Sequence, residues 1–112
     1  MAIATDRIQI YRGDTWSKSI NVLDADGNAY NLTGYIWTMT VKRGTTEIIS
    51  ATGDCDDDPT TGIQPILLTS EDTDVTVRNN YDYDIEIRNT DTPPIVYTVA
   101  KDKLDILQDV TT

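Results

Sequence analysis

Carboxylates dominate the reactive groups of this chain. Nineteen of its 112 residues are aspartate or glutamate and none is histidine. Without imidazole there is no ordinary acid–base catalyst near neutral pH, no Ser-His or Cys-His nucleophile pair, and no nitrogen ligand of the usual kind for a metal. The one thiol, Cys55, sits in sequence beside Asp54, Asp56, Asp57 and Asp58, whose negative charge disfavours a thiolate. Asp82, Asp84 and Glu86 alternate along one stretch. Paired carboxylates of that kind cleave glycosides when they flank a bond, but the same spacing also solvates the outer face of a half-buried strand, and that is the reading adopted. Clustered oxygens suit calcium. Two places supply them: Asp54, Asp56, Asp57 and Asp58, and the run Asp24-Ala25-Asp26-Gly27-Asn28. Neither has the spacing of a helix-loop-helix calcium loop, and Asp26-Gly27 is explained by a hairpin turn alone. The expectation is therefore a non-enzymatic chain with no catalytic residue and no cofactor, the Asp54 cluster being the first place to look for an ion.

The charge balance works by exclusion. A formal charge of −10, with nine bases and no basic run, repels nucleic acid and anionic membranes. A single cysteine allows no intrachain disulfide, and Met1 to Thr5 lack the basic start and apolar stretch of a signal peptide. Assembly in a reducing cytoplasm is the expectation that follows. Arg12-Gly13-Asp14 and the Asn31-Leu32-Thr33 sequon both fit turns between strands. Trp16 and Trp37 fall on apolar strand faces and are expected in the core. Tyr30 and Tyr35, near the Asp26-Gly27 turn, are the aromatics expected to be exposed, where a carbohydrate platform would need them.

The elements that carry these residues read as strands. Period-two spacing puts alternate side chains on opposite faces of a pleated chain. It recurs over Arg7–Tyr11, Thr15–Leu23 (with Lys18 the polar exception on its apolar face) and Tyr35–Val41; Thr46–Ala51, through Ile48 and Ile49, and Ile63–Leu68 also read as strands. Tyr81-Asp82-Tyr83-Asp84-Ile85-Glu86-Ile87-Arg88 is the clearest case, apolar at every odd position and charged at every even one. Ile95–Ala100 and Lys103–Leu107 complete the set as two further strands. Pro65 lacks a backbone donor and places Ile63–Leu68 at an edge or bulge. Gly53 to Gly62 reads as an acidic loop. Thr69-Ser70-Glu71-Asp72 reads as a helix start, with Asp72 placed to cap reciprocally and at most one short helical turn near 70–77. About seven to nine short strands in one domain, spanning residues 1–112, imply an antiparallel β-sandwich, with a closed barrel as the alternative, because periodicity fixes the faces of strands but not their order.

Several phrases then converge. They are Tyr11-Arg12-Gly13-Asp14-Thr15, Asp24 to Gly27, Asn31-Leu32-Thr33-Gly34-Tyr35, and Val41-Lys42-Arg43. Gly62, Leu67-Leu68-Thr69-Ser70-Glu71-Asp72-Thr73, Tyr81 to Ile87, and Asp109-Val110-Thr111 follow. In this order, from about Ile8 to Thr111, they resemble the N-terminal domain of phage baseplate upper proteins and related small tail proteins of phages and prophages. An aspartate is usual in that family where this chain has Asn31, a change that keeps the turn chemistry. The resemblance implies an immunoglobulin-like sandwich and a virion structural role. The implied partners are other tail, baseplate or receptor-binding subunits, with homo-oligomers in the particle and no enzyme. A carbohydrate- or calcium-binding adhesion module of a bacterial surface protein is the alternative expectation.

Overall fold

Alternation between buried and exposed side chains builds two facing layers. The computed structural model describes residues 5–55 and 59–108. Its strands are β1 (Ile8–Tyr11), β2 (Trp16–Asn21), β3 (Ile36–Arg43), β4 (Thr46–Asp54), β5 (Ile63–Leu68), β6 (Arg78–Arg88) and β7 (Val96–Leu107), with a 3-10 turn at Pro59–Thr61. One sheet has five strands in the order β1-β7-β6-β3-β4, and the other pairs β2 with β5. The β7-β6-β3-β4 order is that of the G, F, C and C′ strands of variable-type immunoglobulin domains, and β2 with β5 corresponds to their B and E pair. The expected all-β sandwich is the observed architecture.

The core lies between the layers. Trp37, Met39 and Val41 of β3 face it beside Tyr83, Ile85 and Ile87 of β6, with Leu104 and Ile106 of β7 next in line. Ile20, Ile66 and Leu68 close it from the small sheet, each burial contributing about 1.5–3 kcal/mol. Two positions carry the immunoglobulin signature. Trp37 is the buried tryptophan of the C strand. Tyr81, at the start of β6, donates its hydroxyl to the Thr76 carbonyl five residues upstream at 2.8 Å, which is a tyrosine corner. Tyr83, two residues on, occupies the place of the second bridging cysteine of antibody domains. Here packing replaces the disulfide: its ring is buried, and its hydroxyl donates to the Asp6 carbonyl.

The structure corrects the sequence reading at several points. Four of the five strand pairs are antiparallel, but β1 runs parallel to β7, with Gln9 opposite Asp105. Alternation fixes faces and carries no information on direction. The segments read as Ile95–Ala100 and Lys103–Leu107 form one strand, β7. Its phase changes where Glu86 pairs with Thr98 and Ile85 with Ala100, so Val99 is the extra residue of a bulge, and Val99 and Ala100 are buried side by side. Strand β4 runs on to Asp54, into the stretch read as loop. Gly53 permits this, because the Trp37 indole lies where its Cβ would be, 2.7 Å from Nε1.

The helix start at Thr69 is a turn and no more. Thr69 N–H donates to Asp72 Oδ2 at 2.9 Å and Asp72 N–H donates to Thr69 Oγ1 at 3.2 Å, the reciprocal cap read from sequence. The β-branched Val75, Thr76 and Val77 then favour extended chain. Thr73, fully buried, donates to the Asp14 carbonyl at 2.7 Å and fastens this turn to the Gly13 turn.

Candidate functional site

The acidic row of β6 faces outward. Asp82 and Asp84 stand opposite Lys103 and Lys101 of β7, and Lys42 of β3 pairs in register with Asp82 on the other side. Lys103 and Asp82 form an ion pair. With threonines at 40 and 98, these side chains line a shallow groove of about 420 Å³. A carboxylate pair that shares a proton needs two acids facing each other. Of the three aspartates lining this groove, Asp82 and Asp84 each have a lysine opposite and Asp102 lies between Lys101 and Lys103 along β7, so the arrangement is a solvated, self-neutralising ladder.

The two loops that could hold calcium differ. Asp24 Oδ1 accepts the N–H groups of Asp26 and Asn28 at 2.9 and 3.0 Å, and Gly27 N–H donates to the Asp24 carbonyl at 3.0 Å. That is a turn built on an aspartate cap. Asp54 ends β4 and is exposed; Asp56, Asp57 and Asp58 lie outside the described residues. Among the described residues no group of three or more acidic or cysteine side chains converges. Cys55 is buried, and its N–H donates to the Tyr35 carbonyl at 3.1 Å. In the Arg12-Gly13-Asp14 turn, Arg12 Nε contacts Asp74 Oδ1 at 2.9 Å, and Gly13 takes the positive φ that closes the bend. Asn31 Oδ1 accepts from Thr33 N–H and Oγ1, so the sequon is also a turn.

The aromatics depart from expectation at Tyr35 and, in part, at Tyr30, which is half-buried against the core. Tyr35 is buried, only 6% exposed, because its ring continues the Trp37 face of β3 inward. Its hydroxyl is 2.7 Å from that of Tyr30, and burial, followed by this hydrogen bond, raises its pKa. Tyr30 stacks edge-on against both Tyr35 and Tyr97, so half-buried Tyr30 and exposed Tyr97 (38%) are the aromatics that reach the surface here. Trp37 is buried as expected, and Trp16 is partly buried against the core.

One acid does not stay wet. Asp105 is 2% exposed, although it points away from the sandwich interior. Arg7 covers it, donating from Nε to Oδ2 at 2.9 Å and from Nη2 to Oδ1 at 2.8 Å. Gln9 Nε2 donates to Oδ2 at 3.2 Å, and Asn80 N–H donates to Oδ1 at 2.8 Å. The Asn80 donor is available because β6 bulges between Arg78 and Tyr81, with Asn80 at φ 66°. Burial pushes the carboxyl up; the hydrogen bonds from Arg7, Asn80 and Gln9 outweigh it and hold its pKa below the usual value. This is a structural clamp joining β1, β6 and β7.

The remaining surface feature is the outward face of the small sheet. Ile63, Pro65 and Leu67 of β5 lie beside Asn21, Ser19 and Ser17 of β2, all exposed and none charged. Leu23, two residues beyond Asn21, is exposed as well. Opposite this face, between the sheets, Ile8, Trp16, Ile20 and Ile85 line a cavity of about 290 Å³. Lys18, the polar exception on its strand, also lines the cavity and pairs there with Asp6 at 2.7 Å. No protein-family model matches the chain, and a search of curated proteins returns no match.

Proposed function

We propose that this chain is a non-enzymatic structural subunit of a phage or prophage particle, a tail or baseplate adaptor that works by protein–protein contact after synthesis in the host cytoplasm. One observation carries the contact reading. In a chain of charge −10, the outward face of β2 and β5 has no charged residue, and three apolar side chains, Ile63, Pro65 and Leu67, stand in a row on it. A solvated sheet face ordinarily alternates in charge, as the Asp82–Lys103 ladder does. An uncharged apolar strip costs little to dry and suits the centre of an interface. The ordered resemblance to baseplate upper proteins supplies the kind of particle, and the buried, hydrogen-bonded clamp at Asp105 suits a rigid part. Such a subunit gains strength from repetition, since many copies convert weak contacts into avidity.

The test is co-expression with the products of neighbouring tail genes, followed by affinity capture. Capture of a tail or baseplate protein is expected. Ile63→Lys with Leu67→Lys should abolish it while leaving the melting temperature within a few degrees, because both side chains point to solvent. If neighbouring genes encode no virion proteins, or if capture is indifferent to both lysines, the reading is wrong.

A further inference from the structure

Among the described residues four strand edges are left open, and they are not equivalent. β1 is four residues long. β5 carries Pro65 at its middle and β2 carries Lys18, both of which blunt an edge against pairing. β4 has neither. It is nine residues long, ends the five-stranded sheet, and its outward side pairs with no strand among the described residues. Its single irregularity lies at Ile48, where the register with β3 shifts between Val41 and Lys42, so Ile49–Gly53 is a regular run.

We propose that the β4 edge binds a second copy of this chain, β4 antiparallel to β4 about a two-fold axis at Ala51, joining the two five-stranded sheets into one. Such pairing requires only the β4 edge and holds for the chain inside or outside a phage particle. Three observations identify the occupant. From Ile48 to Gly53 the strand is uncharged, so two copies that each carry −10 can approach there without opposing like charges directly. Beyond that run β4 carries Glu47 at one end and Asp54 at the other; Arg43 of β3 lies across the hairpin at the Glu47 end, and neither Arg43 nor Asp54 has an ion pair among the described residues. Antiparallel pairing brings Arg43 of each copy toward the Asp54 end of the other. The faces also match. Placing the axis at Ala51 sets core-side Ile49 opposite Gly53 of the second copy, where the space is small, and outward-facing Ser50 opposite Thr52. A one-residue slip is excluded, because it would put Ile49 on the wet face.

Sedimentation velocity across a concentration series tests this on the intact chain. A monomer–dimer equilibrium is expected. Ser50→Lys should weaken dimerisation by at least tenfold with little change in thermal melting, since Ser50 is exposed. Thr52→Glu should weaken it likewise. Mixing the two variants should restore a heterodimer, because residues 50 and 52 face each other across the axis. A monomer at every concentration, a closed ring or open polymer in place of a dimer, a dimer unaffected by Ser50→Lys, or a mixture that fails to reassociate would each overturn the proposal.

Discussion

Asp105→Asn tests whether the buried carboxylate holds the edge of the sandwich. The substitution keeps the shape and one acceptor oxygen. Oδ1, which takes Arg7 Nη2 and the Asn80 N–H, can stay in place as the amide oxygen. The amide nitrogen then stands where Oδ2 accepted from Arg7 Nε and Gln9 Nε2, so donors meet donors. A hydrogen bond to a charged group contributes about 1.5–3 kcal/mol. Arg7 is 46% exposed and recovers part of its loss in water, and the Gln9 bond is long, so the net cost works out at about 2–4 kcal/mol. Unfolding entropy for a chain of this length is ~0.24 kcal/mol/K, which converts that cost to a fall of roughly 8–17 °C in melting temperature.

The pH dependence gives a sharper check. The folded carboxyl titrates below its ordinary value of 3.8, so its contribution is complete above that pH and is lost as pH falls through the folded value. Urea unfolding of both proteins between pH 7 and pH 2.5 should show a constant gap down to about pH 4 and a narrowing gap below it. The other acids titrate in both proteins and cancel in the difference. A loss under about 0.5 kcal/mol, or a gap that widens as pH falls below 4, would refute this account of Asp105.

Gly53→Ala should destabilise by about 1–3 kcal/mol and shift tryptophan emission, because the new methyl collides with the buried Trp37 ring. Chemical unfolding read by fluorescence measures both. Gly62→Ala meets two obstacles, a φ of +69° and the Val22 carbonyl 2.5 Å from the new Cβ, so a loss of at least about 2 kcal/mol is expected in the same assay. Asp72→Ala removes one half of the reciprocal cap and should cost about 1 kcal/mol by thermal melting.

What the sequence made legible is what period-two alternation encodes. Tyr83, Ile85 and Ile87 inward with Asp82, Asp84 and Glu86 outward could be read residue by residue, because a strand with one wet face has no other way to sort them. Pro65 marked an edge for the same local reason, a missing donor. Direction and phase were not legible. The parallel entry of β1 is set by packing over 90 residues of separation, as in the Arg7–Asp105 contact, and the Val99 bulge by how β7 meets Ile85 and Glu86 of β6. Asp105 itself looked like any outward acid in Leu104-Asp105-Ile106. Its burial requires Arg7 and Gln9 to arrive beside β7 and the Asn80 bulge to offer an N–H, and none of these has a local signature. Tyr35 was misplaced because its proximity to a turn was weighed above its phase with Trp37.

The distribution of charge explains why two surfaces stand out. On the outer face of the five-stranded sheet, lysines 42, 101 and 103 answer the aspartates beside them, so that face is wet and close to neutral while each charge still resists drying. Uncompensated acids gather in turns instead: Asp24 and Asp26 in one, Glu71 and Asp72 in another, Asp91 in a third. At 0.15 M salt these fields fade within about 8 Å, so contact between acidic copies is governed by what lies inside that distance. Around Ser50 and Ala51 of β4, and around Pro65 of β5, the exposed strand residues in register are uncharged. A sheet edge with unsatisfied backbone groups and a dry apolar strip are the two kinds of surface on which association gains more than desolvation costs. The β4 edge and the β5 strip lie on opposite layers of the sandwich, so occupation of one does not block the other.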